Sequence, residues 1–191
     1  MRSGYLRYFI GFVVALGLII VLIILLFSGN SNTASRTLAP RLLSSYADTG
    51  SVATMTIDGP IVAQSTHTSI RVSIDRNSAT YQQYVGYDGS IVKTKSYDNS
   101  TNSYAAFLRA LAHAGYNLGD TNPAITNPTG YCPQGSIYTF TLDDNGSSVY
   151  KFWTTSCGTP KTYKGNTNLT VQLFKSQIPD YSQLVDGIYF N

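Results

Sequence analysis

The chain has 191 residues, and its 13 lysines or arginines against 10 acidic residues give a formal net charge of +3. Arg2 and Arg7 stand at the amino terminus, so the rest of the chain carries eleven basic and ten acidic side chains, a net charge of +1. That balance leaves no basic face for nucleic acid, which we exclude as a partner. All ten acidic residues are aspartates, and abundant Thr and Tyr without any Glu favour strands over surface helices.

An unbroken apolar segment of nineteen residues occupies positions 9–27. As a helix it would be about 28 Å long, close to the ~30 Å hydrocarbon thickness of a bilayer. We therefore predict a single transmembrane helix at 9–27, with the lipid bilayer as its partner. The alternative is a cleavable signal peptide, whose apolar core is usually ~7–15 residues. Only Gly29 and Ser31 offer a small-residue cleavage match.

The charges around this segment set the predicted orientation. Arg2, Arg7 and the terminal amine precede it, whereas Arg36 and Arg41 follow, and positive charge favours the cytoplasmic side. The predicted localisation is the cell membrane, single-pass, with the amino terminus cytoplasmic. We divide the chain into a cytoplasmic tip at 1–8, the transmembrane helix at 9–27, a polar stalk at 28–51 and an extracytoplasmic domain at 52–191.

The domain at 52–191 shows strand patterns, then a helix, then a hairpin and a second helix. Alternating apolar residues and turn signals such as Asp88-Gly89 predict strands at 52–57, 69–75, 80–85, 91–97, 136–142 and 148–154, and a short last strand at 188–190. Apolar residues at helical spacing predict a helix after these strands. Asn99 or Ser100 can cap its first turn, and Gly115 ends it. A second helix is predicted at 168–178. The predicted fold class is α+β: an N-terminal single transmembrane helix, then an antiparallel β-sheet domain with two helices packed on one face.

The only two cysteines, Cys132 and Cys157, flank the second predicted hairpin. The chain between them would rise along one strand and return along the next, which brings the two ends together. We predict a structural disulfide between them, which suits an oxidising compartment outside the cytoplasm. On the chain-entropy model such a bridge stabilises a domain by about 3–4 kcal/mol.

Catalytic, metal and cofactor patterns are weak in this sequence. His67 lies in a polar stretch with Ser65, but no nucleophile elbow accompanies it, and His113 is expected on the solvated side of the first domain helix. The consecutive residues 143–146, Asp-Asp-Asn-Gly, fit a tight turn better than a calcium loop, since no Glu is available as the last ligand. We predict no catalytic residues, no metal site and no cofactor.

Tyrosine is the one unusual enrichment, with 15 residues in the chain. Tyrosine presents a large apolar ring and a polar tip, which suits binding surfaces and also half-exposed strand positions. The candidate binding residues are four tyrosines close in sequence around the predicted meander: Tyr81, Tyr84, Tyr87 and Tyr97.

Three functions are compatible with these patterns. We favour a membrane-anchored, exported, non-catalytic binding or scaffolding module that holds an envelope protein or polymer. The second is a pilin-like or pseudopilin-like subunit, because an apolar N-terminal helix followed by a β-rich head with a C-terminal disulfide loop resembles type IV pilins. That family carries a Glu at the fifth position after its Gly cleavage site, whereas the fifth residue after Gly4 is Phe9. The third is an envelope hydrolase using His67.

Overall fold

Six β-strands form one antiparallel sheet in the computed structural model, which describes residues 41–188 and residue 190. The spatial order is β4-β3-β2-β1-β5-β6, so β1 lies near the centre and β4 and β6 are the edges. The strands are β1 Ser51–Asp58, β2 Thr68–Ile74, β3 Ser78–Val85, β4 Ser90–Asp98, β5 Ile137–Asp144 and β6 Ser147–Thr155. Each strand predicted at 52–97 and 136–154 matches one of these to within two residues.

The alternation of side chains in β1 gives the sheet two different faces. Ala53, Met55 and Ile57 are buried, whereas Thr54 and Thr56 between them are half-buried on the other side. Strands β2 and β5 pair with β1 on either side, and their apolar residues fall in register with those of β1. One face of the sheet is therefore the core face, and the other, which we call the outer face, is rich in hydroxyl groups.

Helices pack on the core face. Helix α1, Thr101–His113, begins where the Ser100 hydroxyl accepts a hydrogen bond from the Ser103 amide at 3.2 Å. Helix α2, Thr167–Lys175, is capped in the same way by the Asn166 side chain on the Leu169 amide at 3.0 Å. The remaining helical pieces are short: the 3₁₀ helices Leu43–Asp48 and Pro123–Ile125, and α3, Tyr181–Leu184.

Aromatic rings join the helices to the sheet. The ring of Phe174 from α2 lies 5.1 Å from Phe107 of α1, 5.8 Å from Tyr116 and 6.5 Å from Phe140 of β5, measured between centroids. All four side chains are buried. Edge-to-face and offset contacts of this kind add to the apolar burial of each ring. Leu43, which falls within the predicted stalk at 28–51, is buried in this core.

The predicted fold class is wrong for the part of the chain that the structure describes. That part is a six-stranded antiparallel sheet with few helices. Among residues 41–188 no helix is both long enough and apolar enough to cross a membrane. The longest, α1, has 13 residues and would extend about 20 Å, short of the ~30 Å hydrocarbon core. The transmembrane helix and the single-pass class predicted from 9–27 fall on residues outside the described ones.

Two smaller elements also differ from prediction. Helix α2 ends at Lys175, three residues earlier than predicted, where the Ser176 hydroxyl and the side-chain amide of Gln177 both donate to the Leu173 carbonyl, at 2.8 and 3.3 Å. Side-chain donors of this kind compete with the helical hydrogen bonds of the last turn. Ile188 and Phe190, the described residues of the predicted strand 188–190, belong to no strand.

Buried phenols predict an alkaline loss of stability. Burial raises the pKa of Tyr104 and of Tyr81 from 10.0 to about 12 each. In the unfolded chain these phenols ionise near pH 10, so the folded state loses stability as pH rises from 10 to 12, by up to about 2–3 kcal/mol for Tyr104. Urea unfolding at pH 9 and pH 11.5 measures this loss. The Tyr104→Phe variant should show a smaller loss, and an identical loss in both proteins would contradict the assignment.

Candidate binding cleft

A cleft of about 350 Å³ opens on the outer face at one end of β1 and β5. Its floor contains Thr56 and Asp58 of β1 with their cross-strand partners Thr139 and Ile137 of β5. One wall comes from the loop after β1 and the turn after β3, the other from the loop that leads to β5. The wall residues are Gly59, Ile61 and Tyr87 on the first side and Pro128, Thr129, Gly130, Tyr131 and Cys132 on the second.

Tyr87 is fixed in the first wall at three points. Its ring stacks on His67 with centroids 4.0 Å apart and planes 18° apart. Its hydroxyl donates to the Val62 carbonyl at 2.8 Å and accepts from the Val62 amide at 3.0 Å. The Tyr87 side chain is nevertheless 52% exposed. An exposed aromatic ring held this firmly loses little conformational entropy when a ligand packs against it.

His67 supports this wall from behind. It is only 3% exposed, and its Nε2 lies 3.1 Å from Asp58 Oδ1 and its Nδ1 3.1 Å from the Pro60 carbonyl oxygen. A carbonyl only accepts hydrogen bonds, and an ionised carboxylate does the same. Both ring nitrogens therefore lie against oxygen atoms, and His67 ties the loop after β1 to the end of the strand.

Tyr131 is backed by a buried ring in the second wall. It stacks on Trp153 of β6 at 5.3 Å and 18°, and the Trp153 indole donates to the Ile125 carbonyl at 2.8 Å. The next residue, Cys132, forms a disulfide with Cys157, with the two Cα atoms 5.7 Å apart. The disulfide predicted from the sequence is thus present, and it anchors this wall to the end of β6.

The electrostatics of the cleft are set by a single carboxylate. Asp58 is the only charged residue among the lining residues, and its side chain is 47% exposed. Its Oδ1 faces His67, while Oδ2 accepts no hydrogen bond from the described residues. Hydroxyl groups of Thr56, Thr129 and Thr139 supply further donors and acceptors. The cleft therefore combines two aromatic surfaces with hydroxyl groups and one free acceptor.

The four tyrosines predicted as a surface do not share one face. Tyr81 is fully buried in the core, and Tyr97 packs on the core side, where its hydroxyl donates to the Asp180 carboxylate. Tyr84 lies on the outer face and accepts from Arg71 at 3.2 Å. Of the four, Tyr87 alone lines the cleft.

The hydrolase hypothesis predicted a cleft in which His67 meets Asp and Ser side chains. The structure pairs His67 with Asp58, but both ring nitrogens are engaged and the ring is stacked under Tyr87. No ring nitrogen is left to take a proton from a nucleophile. His113 is exposed on α1. Within residues 41–188 and 190, no group of three or more His, Cys, Asp or Glu side chains could hold a metal ion.

The sequence alone does not single out Tyr131 or Asp58 as site residues. Tyr131 precedes a cysteine, and its neighbourhood shows no periodic pattern that would place it on the sheet. The sequence pattern indicates Asp58 only as part of the turn Asp58-Gly59-Pro60. The signal that could have found Tyr131 is its position beside a predicted disulfide, because the bridge fixes the loop against the end of the second hairpin.

Comparison with models of known protein families and with curated proteins found no match for this chain. Its binding chemistry therefore has to be inferred from its own side chains. The pilin-like hypothesis depends on Gly4 and Phe9, which lie outside the described residues. The features that remain for a functional assignment are the cleft and the disulfide beside it.

Proposed function

We propose that this domain is an exported, non-catalytic binding module that holds a neutral, hydroxyl-rich envelope polymer, such as a glycan chain, in the cleft between Tyr87 and Tyr131. The single observation that carries the proposal is the pair of tyrosines, each backed by a buried ring, at the two walls of one cleft. Specific small-ligand sites commonly combine aromatic surfaces with a few placed polar groups.

The chemistry of the lining supports a neutral ligand. Aromatic rings contact the apolar C–H faces of a sugar ring, while the Thr hydroxyls and the Asp58 carboxylate accept from its hydroxyl groups. The lining residues include no lysine or arginine, so an anionic polymer would meet only the Asp58 charge. A neutral polyol meets no such penalty.

The disulfide supports an extracytoplasmic location. Disulfides persist in oxidising compartments and are rare in the reducing cytoplasm. Both cysteines of the chain are used in this one bridge, and no free cysteine remains in the described residues. An envelope polymer is the ligand class that such a location makes accessible.

Removing one cleft ring tests this function. In isothermal titration of the full chain with maltohexaose, cellohexaose and chitohexaose, we expect at least one to bind saturably. The Tyr87→Ala variant should bind it at least about tenfold more weakly, because a tyrosine ring that a ligand covers is a frequent hot spot. Tyr84→Ala is the matched control, since Tyr84 lies on the outer face but does not line the cleft.

Two results would contradict the proposal. One is the absence of saturable binding by all three hexasaccharides. The other is an equal loss in Tyr87→Ala and Tyr84→Ala. Trp153 provides an independent readout, because it is the only tryptophan of the chain and stacks on Tyr131. Its fluorescence should change on binding to the wild-type chain, and at the same ligand concentration the change should be smaller in Tyr87→Ala.

A further inference from the structure

Three tripeptides of the form Asn-x-Ser/Thr, which we call sequons, begin at Asn99, Asn145 and Asn168. This pattern is the acceptor signal for N-linked glycosylation of exported proteins, with any residue except proline in the middle. The tripeptide that begins at Asn127 contains Pro128 and is therefore excluded. A signal this short also arises by chance, so the folded structure has to decide which asparagine is a usable acceptor.

We propose that Asn145, in the turn between β5 and β6, is an N-glycosylation site that receives its oligosaccharide after the domain has folded. The donor is an oligosaccharide linked to a polyprenyl phosphate or diphosphate. Asn145 Nδ2 forms a bond to C1 of the first sugar and loses one proton, while the C1–O bond to the lipid breaks and the phosphate leaves with its electron pair. The proposal goes beyond glycan binding in the cleft and shares with it only the extracytoplasmic location.

The Asn145 sequon is accessible along its whole length. Asn145, Gly146 and Ser147 are all exposed. The positive φ values of Asn145 and Gly146, 49° and 81°, place them at the tip of a tight hairpin turn. Exposed turn tips with small polar residues are the positions at which folded domains best tolerate an added group. An enzyme can therefore reach both the amide of Asn145 and the hydroxyl of Ser147 from solvent.

The orientation of the Asn145 side chain leaves its nitrogen free to react. Oδ1 faces the backbone of Gly50, where an added Cβ atom would lie only 2.5 Å from it. Nδ2 donates to Asp144 Oδ1 at 3.1 Å. Because an amide nitrogen carries two hydrogens, one can keep this contact while C1 of a sugar replaces the other. The covalent attachment therefore breaks no hydrogen bond of the folded turn.

The other two sequons are blocked in the folded domain. Asn99 is half-buried, and its Nδ2 donates to the Asp75 carbonyl at 2.6 Å. Asn168 is exposed, but the third residue of its sequon, Thr170, is fully buried, and the Thr170 hydroxyl lies 2.6 Å from that of Tyr163. Since the signal requires a hydroxyl group at its third position, this sequon presents only its first half to an enzyme.

The Asn145 turn lies far from the binding cleft. Strand β5 begins at Ile137 in the cleft floor and ends at Asp144, next to the turn. Seven steps along an antiparallel strand at ~3.4 Å each cover about 24 Å. An oligosaccharide on Asn145 therefore leaves the opposite end of the sheet, and with it the cleft, open to a ligand.

Mass spectrometry of the chain purified from its own organism tests the assignment. After reduction and digestion with trypsin, the three sequons fall in separate peptides, at 110–151 for Asn145, 96–109 for Asn99 and 165–175 for Asn168. We expect the 110–151 peptide to carry the added mass of an oligosaccharide, located at Asn145 by fragmentation. The other two peptides should have the masses of their unmodified sequences.

Two variants made in the same organism remove the signal in different ways. Asn145→Gln lacks the acceptor, whereas Ser147→Ala keeps Asn145 and its turn but lacks the hydroxyl group of the sequon. Both should lose the added mass, and Asn168→Gln, the matched control, should keep it. The proposal is overturned by an unmodified 110–151 peptide in the wild type, by added mass that persists in Ser147→Ala, or by an oligosaccharide on Asn168.

Hexasaccharide titration separates this site from the cleft. Because the two sites share no contacts and lie far apart, Asn145→Gln should bind hexasaccharides within about twofold of the wild type. The Tyr87→Ala variant should in turn keep the added mass on the 110–151 peptide. Failure of either proposal therefore leaves the test of the other intact.

Discussion

Replacement of Phe174 by alanine is expected to lower the free energy of unfolding by about 3–5 kcal/mol, the usual cost of emptying a phenylalanine site in a core. The Phe174 ring is fully buried and contacts rings from α1, from β5 and from the chain after α1. Its loss removes apolar burial and leaves a cavity that three separate elements would have to move to fill. Because most domains are stable by only about 5–15 kcal/mol, this variant should lie near the limit of folding.

Urea unfolding followed by circular dichroism measures this loss. Leu169→Ala is the matched control, because Leu169 lies on the same helix but is exposed, and it should change the unfolding free energy by about 0.5 kcal/mol or less. Equal destabilisation by the two variants would show that burial of the Phe174 ring in the aromatic cluster does not determine the effect.

Removal of the disulfide should lower the free energy of unfolding by about 3.5 kcal/mol. The cysteines are 25 positions apart, and the chain-entropy model gives about this value for a loop of that length. The double variant Cys132→Ser/Cys157→Ser measures it by urea unfolding without reductant. The wild type in dithiothreitol should approach the stability of the double variant, whereas the variant itself should not respond to dithiothreitol.

The same variant addresses the binding cleft. Cys132 lines that cleft, and the bridge holds its second wall to the end of β6. We expect hexasaccharide binding to weaken in the double variant even under conditions in which the domain stays folded. An unchanged affinity would show that the Tyr131–Trp153 stack holds this wall without the bridge.

Most strands were predictable because each has a clean period of two and is bounded by turn residues. Asn145 and Gly146, for example, adopt positive φ values of 49° and 81° in the turn between β5 and β6. These angles fit the predicted tight turn. The disulfide was predictable from the same hairpin, because its rising and returning strands bring Cys132 and Cys157 together.

The cleft was not predictable for an equally physical reason. Tyr81 and Tyr84 are three positions apart in β3, so alternation sends their side chains to opposite faces, and closeness in sequence does not place them on one surface. The second wall comes from the loop between α1 and β5, which has no periodic pattern. Its position over Trp153 depends on the Trp153 indole reaching the Ile125 carbonyl, a contact between parts of the chain 28 residues apart.

Strand β4 forms one edge of the sheet, and nearly all of its residues are exposed. Among the described residues no further strand pairs with this edge, and an edge of this length offers free backbone groups to another extended chain, the usual starting point of fibrous aggregation. Lys93 and Lys95 are placed along it, and Lys93 also donates to the Leu184 carbonyl at 3.1 Å. Positive charge at such an edge disfavours the approach of a second identical edge, so β4 itself protects the protein against indefinite lateral growth of its sheet.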